Sequence, residues 1–519
     1  MKKPYIIWII RFLLLLVLSG CGKNIEPSAS PQKPDAAGPT QTSIITAVPV
    51  TPTPASDEGA PHSVTILYTN DEHGWMEGVG EGMGAANLMS VWEQDFGYSQ
   101  DGPFLLLSGG DMWTGPAVST WFEGYSMVQV MNLMGYQAAA VGNHEFDFGL
   151  EKLRLQSLEM KFPLLSANIR YKAGGAVPSD IGIQPFAIIE RGGIKFGVVG
   201  LTTRVTPTTT LPDVVAPFDF IDYETALREF VPQARAAGAE VIVVPAHICR
   251  GELSGLARAV ADLGISMMGG GHCNDYFSMV IDDTVILGGG AHMESFAWAQ
   301  IELQAESGIV EIVDHGIAGN RPEVPQPEVA ALVEEWQAEA NLILDEVIGY
   351  TNQMIPRNSS TMRQMIVESW LLAYPSADIA MTNHGGIRAD IKAGEVTFGD
   401  VVSVLPFSNT IIELHLRGED LARLLIGRRQ NTAIAGIDFI SGEWVLENSG
   451  EPLAPDELYV VLVNSFMYAG GDGYEFSDYD SQGYDTTIHY RQPLLDWLAA
   501  QHSSQADPLD TAIDELIDK

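Results

Sequence analysis

Short apolar runs that alternate with helical patterns occupy the chain from residue 63 to about residue 319. The runs are VTILYT, PFLLLS, QAAAV, IKFGVVG, EVIVVPA, ISMMGG and TVILGG, and longer stretches such as YETALREFVPQARAAG lie between them. Apolar runs of four to eight residues are typical of buried strands, and the longer amphipathic stretches are typical of helices. The alternation therefore predicts an α/β domain.

A second α/β pattern begins near residue 348, with strands predicted at DIAMTN, TIIELHL and LYVVLVNSF. Between the two patterns, prolines lead into the long helical stretch PEVAALVEEWQAEANLILDEV. With 519 residues the chain is long enough for two or more domains. We therefore predict one domain over residues 63–319, a linker helix over 320–347 and a smaller α/β domain over 348–519.

The first 62 residues differ from the rest in composition. Basic residues flank a short apolar core that ends in LSGC, which predicts a secretory signal over residues 1–20. This ending resembles the bacterial lipoprotein box, which implies cleavage before Cys21 and lipidation of its thiol; the alternative is an ordinary signal with a chance cysteine. Residues 21–62 are rich in Pro, Ser, Thr and Ala and predict an extended tether. We therefore expect an extracytoplasmic protein, anchored to the cell membrane as a lipoprotein.

The net charge of -39 limits the partners of the chain. Long anionic polymers are disfavoured unless bound cations offset the negative field, so we expect no nucleic acid polymer as a partner. We expect a monomer. Apart from Cys21, the cysteines are Cys249 and Cys273, and the sequence leaves open whether they form a disulfide.

Five predicted strands end in side chains that can bind a cation. These are Asp71 with His73, Asp111, Asn143 with His144, His247, and His272 with Asn274. Ligands of open α/β sheets bind beyond the carboxyl ends of the strands, so the five ends could converge. Imidazole suits Zn, Mn or Fe, whereas carboxylate and amide oxygens suit harder ions. Each residue alone also fits a helix cap or a turn, but five such endings in order favour a metal site.

The blocks TNDEHG, SGGD, GNHEFD, AH and GGGHCN, in this order, resemble the 5'-nucleotidase family, whose N-terminal part is a calcineurin-like metallophosphoesterase domain. The resemblance implies a four-layer α/β/β/α sandwich, joined by a helix to the smaller C-terminal α/β domain. It also implies two divalent cations, Zn, Mn or similar. Two such ions clamp the attacking and leaving oxygens of an in-line phosphoryl displacement.

The resemblance also assigns roles to single residues. One cation would be held by Asp71, His73 and Asn274, the other by Asn143, His247 and His272, with Asp111 bridging both. His144, oriented by Asp147, is the implied catalytic pair, and Glu145 has no ligand role. The family commonly has His or Gln where Asn274 stands here, and the shorter Asn can still offer a carbonyl oxygen.

The C-terminal blocks MTNHGGIRAD, VLPFSN and VNSFMYAGGDGY resemble the 5'-nucleotidase C-terminal domain. The resemblance implies that Asn383, Arg388, Phe407, Phe466 and Asp472 grip the nucleoside and phosphate. Two aromatic rings can stack on both faces of a base, which contributes roughly 1–3 kcal/mol per stacked base. Without the resemblance, both phenylalanines also fit a hydrophobic core. The block PRNSSTMRQ resembles a further family block and would place Arg357 in the site, although MRQ replaces the usual Leu-Gly-Asn.

The function implied by the resemblance is that of an extracytoplasmic phosphomonoesterase. It would hydrolyse nucleoside 5'-monophosphates to nucleoside and phosphate through a hydroxide that bridges two cations. Alternatives within the family are a 2',3'-cyclic-nucleotide phosphodiesterase with 3'-nucleotidase activity and a UDP-sugar hydrolase. The alternative from another class is a lipoprotein that binds nucleotides without turnover, against which Asp111, Asn143 and His144 argue.

Overall fold

The computed structural model describes residues 61–80, 82–304 and 307–517. The predicted signal peptide, Cys21 and nearly all of the predicted tether lie outside the described residues. Within the described ranges, every helix is too short or too polar to cross a lipid bilayer.

Residues 62–319 supply sixteen strands and eight helices within the described ranges. The strands are β1 (His62–Thr69), β2 (Phe104–Ser108), β3 (Ala138–Ala140), β4 (Leu164–Leu165), β5 (Ile169–Tyr171), β6 (Ile183–Gln184), β7 (Phe186–Arg191), β8 (Ile194–Val199), β9 (Leu201–Thr202), β10 (Phe218–Phe220), β11 (Val241–His247), β12 (Ile265–Gly269), β13 (Tyr276–Ile281), β14 (Thr284–Gly289), β15 (Ser295–Leu303) and β16 (Val310–Gly319). The helices are α1 (Ala85–Val91), α2 (Ala117–Thr120), α3 (Tyr125–Met134), α4 (Leu150–Glu159), α5 (Thr206–Thr209), α6 (Pro212–Val215), α7 (Tyr223–Ala236) and α8 (Arg250–Ala259).

Two large sheets organise this part of the chain. The first has the order β16–β15–β1–β2–β3–β4–β6, in which β1, β2, β3, β4 and β6 are parallel and β15 pairs antiparallel with both β1 and β16. The second has the order β13–β14–β12–β11–β8–β7, and β9 continues beside the end of β11. Its central strands β14, β12, β11 and β8 are parallel. The carboxyl ends of the parallel strands in each sheet therefore share one edge, where ligands of such sheets bind.

The two sheets pack face to face, and helices cover their outer faces. In β2, Leu105 and Leu107 face the core between the sheets, while Phe104 and Leu106 face the helices of the first sheet. Since successive side chains of a strand point to opposite faces, a strand covered on both faces is apolar throughout. Helices α7 and α8 cover the second sheet through residues such as Leu227. The layers α/β/β/α confirm the predicted fold class.

A helix leads from the first domain to the second. Helix α9 (Pro327–Leu344) begins with a proline at its first position, and the side chain of Gln326 accepts a hydrogen bond from the Val329 N–H at 2.8 Å. Its Trp336 packs against the rings of Phe122 and Tyr125. The helix is therefore fastened to the first domain along its buried face.

The C-terminal part is a second, smaller α/β unit. Its strands are β17 (Val347–Thr351), β18 (Ile379–Asn383), β19 (Gly394–Thr397), β20 (Thr410–Arg417), β21 (Thr432–Ala435), β22 (Ile437–Ile440), β23 (Glu443–Leu446), β24 (Leu458–Asn464) and β25 (Tyr484–His489). Its helices are α10 (Ser360–Ala373), α11 (Phe398–Val404), α12 (Gly418–Leu424), α13 (Ser465–Tyr468), α14 (Phe476–Tyr479), α15 (Gln492–Ala500) and α16 (Asp510–Ile517). A five-stranded sheet, β21–β18–β24–β20–β25, carries a hydrophobic core on each face.

The second unit packs directly onto the first. Ser403, in α11, accepts a hydrogen bond from the Ala117 N–H of α2 at 2.9 Å, and the buried Val402 joins the outer core of the first domain. This contact places the ends of β18 and β24 near the ligand-binding edge of the first domain.

Candidate active site

The loops after β1, β2, β3, β11 and β12 are tied together by hydrogen bonds. Asp71 N–H donates to the Gly110 carbonyl at 2.9 Å, and the Asp71 carboxylate accepts the His272 N–H at 3.0 Å. His144 N–H donates to Asp111 Oδ1 at 2.8 Å. The predicted convergence of the strand ends is present in the structure.

Much of this site lies on strained backbone. Five of the seven predicted metal ligands have a positive φ: Asp71 (52°), His73 (46°), Asp111 (61°), His272 (73°) and Asn274 (55°). Non-glycine residues adopt this region at a cost, and such residues cluster at functional sites. At Gly142, a Cβ would lie 2.1 Å from Asp111 Oδ1, so this position requires glycine.

Asp111 lies at the centre of the cluster. Its Oδ2 is 2.9 Å from His247 Nε2 and 4.0 Å from Nε2 of both His73 and His144. Ligand atoms of two groups, His73–Asp111–His144 and Asp111–His247–His272, lie within 4.8 Å of one another. Because Asp111 belongs to both groups, its position suits a carboxylate that bridges two cations.

The orientations of the side chains test whether a cation fits this cluster. Nδ1 of His73 is 3.0 Å from the Thr114 carbonyl, and Nδ1 of His247 is 2.9 Å from the Gly109 carbonyl. A carbonyl only accepts, so each Nδ1 carries a proton and each Nε2 faces the cluster. Asn143 Oδ1 is buried and makes no hydrogen bond with the described residues. The donor set therefore fits divalent cations that accept imidazole and oxygen ligands.

The surroundings of two histidines favour the neutral imidazole. Burial lowers the pKa of His73 well below its usual value, and burial together with His247 lowers the pKa of His272 to about 4. Neutral imidazole is the form that binds a metal. Asn274 is exposed and lines the same cleft.

His144 and Asp147 form a close pair beside the cluster. His144 Nδ1 is 2.7 Å from Asp147 Oδ2. Burial alone lowers the pKa of His144, but Asp147 and Asp111 outweigh it and raise the pKa above its ordinary value. The ring of Phe407, from the second domain, stacks on the imidazole with centroids 5.7 Å apart.

Two buried glutamates support the ligand loops, and the sequence interpretation missed both. The Glu145 carboxylate accepts the N–H groups of Asp111, Met112 and Gly142 at 2.9, 2.7 and 2.6 Å. Glu72 accepts from the hydroxyls of Thr69 at 2.5 Å and Ser108 at 3.0 Å, and burial raises its pKa to about 8. One sequence signal could have identified them, because each acid stands among the predicted ligands at the end of a strand.

A cleft of about 230 Å³ connects the metal-ligand candidates to the second domain. It is lined, among others, by His144, Asn383, Phe407, Phe466 and Asp472. Asn383 Nδ2 donates to Asp472 Oδ2 at 2.8 Å. Both phenylalanines are partly buried against the cores of the second domain, yet both line the cleft.

The two predicted arginines occupy different positions. Arg388 lines the cleft, with one guanidinium nitrogen 3.5 Å from His73 Nε2. Arg357 is exposed and donates to the Arg388 carbonyl at 3.1 Å. It lines a small adjoining cleft with Trp75 and His292 rather than the larger one.

A disulfide links two of the ligand loops. Cys249 and Cys273 are bonded, with their Cα atoms 5.2 Å apart. Cys249 follows His247 by two residues, and Cys273 lies between His272 and Asn274. The bond, which the sequence left open, therefore joins the loop after β11 to the loop after β12.

Comparison with known proteins agrees with this architecture. Residues 347–478 match the family model described as 5'-nucleotidase, C-terminal domain. The chain is 27% identical to Protein UshA of Salmonella pullorum over 528 residues, covering 89% of this chain and 94% of the relative. It is 28% identical to a 5'-nucleotidase of Vibrio cholerae over 507 residues, covering 85% and 90%.

Solved structures share the fold. A 5'-nucleotidase precursor from Thermus thermophilus superposes with a TM-score of 0.73 at 23% identity, covering 85% of this chain and 97% of that one. The sulfate thiohydrolase SoxB of the same organism, in complex with glycerol, superposes with a TM-score of 0.67 at 18% identity, covering 85% and 94%. The fold alone therefore does not define the substrate.

The two-domain fold, its Asp111-centred cluster and the relatives together define a phosphoester hydrolase of the metallophosphoesterase class. Residues 347–478 match the C-terminal domain of the 5'-nucleotidase family, and the similarity to 5'-nucleotidases over most of the chain supports the family that the sequence blocks indicated.

Proposed function

We propose that this protein hydrolyses nucleoside 5'-monophosphates to nucleoside and phosphate, outside the cytoplasm and anchored through Cys21. The observation that carries the proposal is a single cleft that holds both the Asp111-centred cluster and the side chains of Phe407 and Phe466. A phosphate ester at the cluster and a base between aromatic rings suit one nucleotide that reaches across the domain boundary. Relatives named 5'-nucleotidase support the same substrate class.

The predicted ligands would hold two divalent cations, for which Zn²⁺ and Mn²⁺ suit the donor set. They are Asp71, His73, Asp111, Asn143, His247, His272 and Asn274. Bound there, such cations would polarise the phosphoryl oxygens and make water a good nucleophile near neutral pH.

His144 supplies the mobile proton in this proposal. Asp147 holds its Nδ1 and, with Asp111, favours the protonated ring. Water adds to phosphorus and the phosphorus–oxygen bond to the nucleoside breaks. The leaving oxygen takes the proton from His144 Nε2, one proton of the water returns to that nitrogen, and the other stays on the phosphate product. Phe407, stacked on the imidazole, excludes water from one face of the ring.

The second domain would bind and orient the substrate. Arg388 provides positive charge beside the cluster in a chain whose net charge is -39, and a guanidinium can meet a phosphate through two hydrogen bonds. Asp472, held by Asn383, offers a carboxylate for the ribose hydroxyls. The phenylalanines supply apolar surfaces for the base.

A second candidate within the family is the hydrolysis of UDP-sugars. The small adjoining cleft beside His73 favours it, because Arg357, Arg388 and Trp75 line that cleft and suit a further phosphoryl or sugar group. Binding without turnover is disfavoured, since a binding protein has no use for the close His144–Asp147 pair.

A substrate panel tests the proposal. The protein, freed of metal and then reloaded with Zn²⁺ or Mn²⁺, is assayed for release of the hydrolysis products: phosphate from AMP and 3'-AMP, 2'- or 3'-AMP from 2',3'-cyclic AMP, and UMP with glucose 1-phosphate from UDP-glucose. We expect metal-dependent release with the highest kcat/KM for AMP. The highest value for UDP-glucose would support the second candidate, and no metal-dependent release from any substrate would contradict both.

A further inference from the structure

A threonine-rich loop of the first domain reaches the catalytic pair from a part of the sequence that carries no predicted site residue. In the stretch TPTTT, over residues 206–210, the Thr210 hydroxyl donates to Asp147 Oδ1 at 3.0 Å. The other carboxylate oxygen, Oδ2, is 2.7 Å from His144 Nδ1. Both oxygens of Asp147 are therefore engaged, and a buried chain of contacts runs from Thr210 to the imidazole.

The geometry of the loop fixes Thr210. Its N–H donates to the Thr206 carbonyl at 3.2 Å where helix α5 ends, its backbone is extended at φ -134°, and the residue is 2% exposed. The preceding carbonyl, that of Thr209, accepts from Asn143 Nδ2 at 3.1 Å. Consecutive residues of the loop therefore orient Asn143 and Asp147 separately, one through a main-chain carbonyl and one through a hydroxyl.

We propose that Thr210 is a positioning residue for the His144–Asp147 pair. Its hydroxyl holds the Asp147 carboxylate in one orientation, and that carboxylate sets the direction in which His144 Nε2 faces the scissile phosphoryl group. Without the hydroxyl, the carboxylate turns more freely and the imidazole loses alignment. The kinetic part of this inference rests on the proposed function, whereas the hydrogen-bond chain does not depend on any substrate.

Loss of the Thr210 hydroxyl should affect two kinds of substrate to different extents. A nucleoside leaves as an aliphatic alkoxide and needs the proton of His144, whereas 4-nitrophenolate leaves well without it. Misalignment of His144 therefore slows AMP hydrolysis more than hydrolysis of 4-nitrophenyl phosphate. Loss of metal would instead slow both reactions alike.

The test compares Thr210→Val, Thr210→Ser and Thr208→Val. Valine matches threonine in shape and lacks the hydroxyl, and serine restores it. Thr208 is the control, because its exposed hydroxyl donates to the Val205 carbonyl in the same loop and it is absent from the described residues that line the cleft. For each variant we would measure kcat and KM on both substrates, the bound metal, the melting temperature, and the exchange rate of the His144 Nδ1 proton by NMR of histidine-labelled protein, with or without metal.

For Thr210→Val we expect kcat on AMP to fall roughly tenfold to a hundredfold, the range that corresponds to a lost hydrogen bond to a charged group. The fall on 4-nitrophenyl phosphate is smaller, KM and metal content stay near wild type, and the His144 proton exchanges faster. Thr210→Ser recovers most of the loss, and Thr208→Val behaves as wild type. If Thr210→Val does not fold, the same measurements are made on Thr210→Ala, for which we expect the same results.

Equal losses on both substrates, loss of metal together with activity, or a serine variant no better than the valine variant would each overturn the inference. If the wild-type protein hydrolyses no nucleotide, the proposed function fails. The exchange rate of the His144 proton still tests the inference in that case, and an unchanged rate in Thr210→Val would overturn it.

Discussion

Glu145 offers a sharp test of how this site is held together. Its two carboxylate oxygens accept three main-chain N–H groups: Oε2 accepts those of Asp111 and Gly142, and Oε1 accepts that of Met112. Glu145→Gln keeps the shape of the side chain but places an NH₂ group at one of the two acceptor positions. At least one buried N–H then faces a donor instead of an acceptor.

These three hydrogen bonds determine the free-energy cost of Glu145→Gln. An unsatisfied buried donor costs about 1–3 kcal/mol, and each of the two remaining hydrogen bonds weakens by about 1 kcal/mol when its acceptor loses its charge. The total is about 3–5 kcal/mol, and it falls on the loops that carry Asp111 and Asn143. Because a tenfold change in affinity corresponds to about 1.4 kcal/mol, we expect metal affinity to fall at least tenfold.

The assay is a metal titration against a competing chelator, with a melting curve of the metal-free protein. Glu151→Gln is the control, since Glu151 lies nearby in α4 with an exposed side chain paired to Arg154. Wild-type metal affinity in Glu145→Gln would refute the reasoning. A lower melting temperature with unchanged metal affinity would assign Glu145 to general stability rather than to the site.

Further changes test other parts of the account. Phe466→Ala should lower kcat/KM for AMP by roughly fivefold to a hundredfold and leave 4-nitrophenyl phosphate nearly unaffected, because a lost base stack costs roughly 1–3 kcal/mol; equal losses on both substrates would show that Phe466 serves the hydrophobic core instead. Phe407→Ala should slow both substrates, because its ring also stacks on His144, and an unchanged rate on the aryl phosphate would contradict this. The Cys249→Ser/Cys273→Ser double variant should unfold about 3 kcal/mol more easily in denaturant titrations and bind metal more weakly, since the bond joins the His247 and His272 loops; unchanged values would show that the bond is dispensable. Cys21→Ser should abolish lipidation and release the protein from membranes or leave it unprocessed, as membrane fractionation and mass spectrometry would show; processed, membrane-bound protein would contradict the anchor.

The sequence was most informative where the site residues come directly after predicted strands. Apolar runs mark the strands, and Asp71, Asp111, Asn143, His247 and His272 come at or soon after their ends, so both the α/β fold and the convergence of these residues could be predicted. The reason is local: a parallel strand delivers its last residues to one edge of the sheet.

Features that depend on contacts between distant loops could not be predicted in this way. Glu145 and Glu72 act through main-chain N–H groups and hydroxyls whose positions follow from the folded loops. Thr210 reaches Asp147 across 63 residues of sequence, and nothing in its threonine-rich stretch marks it. The stack of Phe407 on His144 depends on how the second domain packs against the first, which no local pattern encodes.

The proposed two-cation site centred on Asp111 can be tested in one experiment. It measures the number of divalent cations bound per chain, together with AMP hydrolysis, in wild type and Asp111→Ala. Asp111 lies within 4.0 Å of Nε2 atoms from both ligand groups, so one substitution removes the proposed shared ligand of both cations. We predict two cations per wild-type chain, fewer than one per Asp111→Ala chain, a parallel loss of AMP hydrolysis, and an unchanged circular dichroism spectrum. AMP hydrolysis at the wild-type rate by Asp111→Ala, or by wild-type protein stripped of metal, would contradict the account.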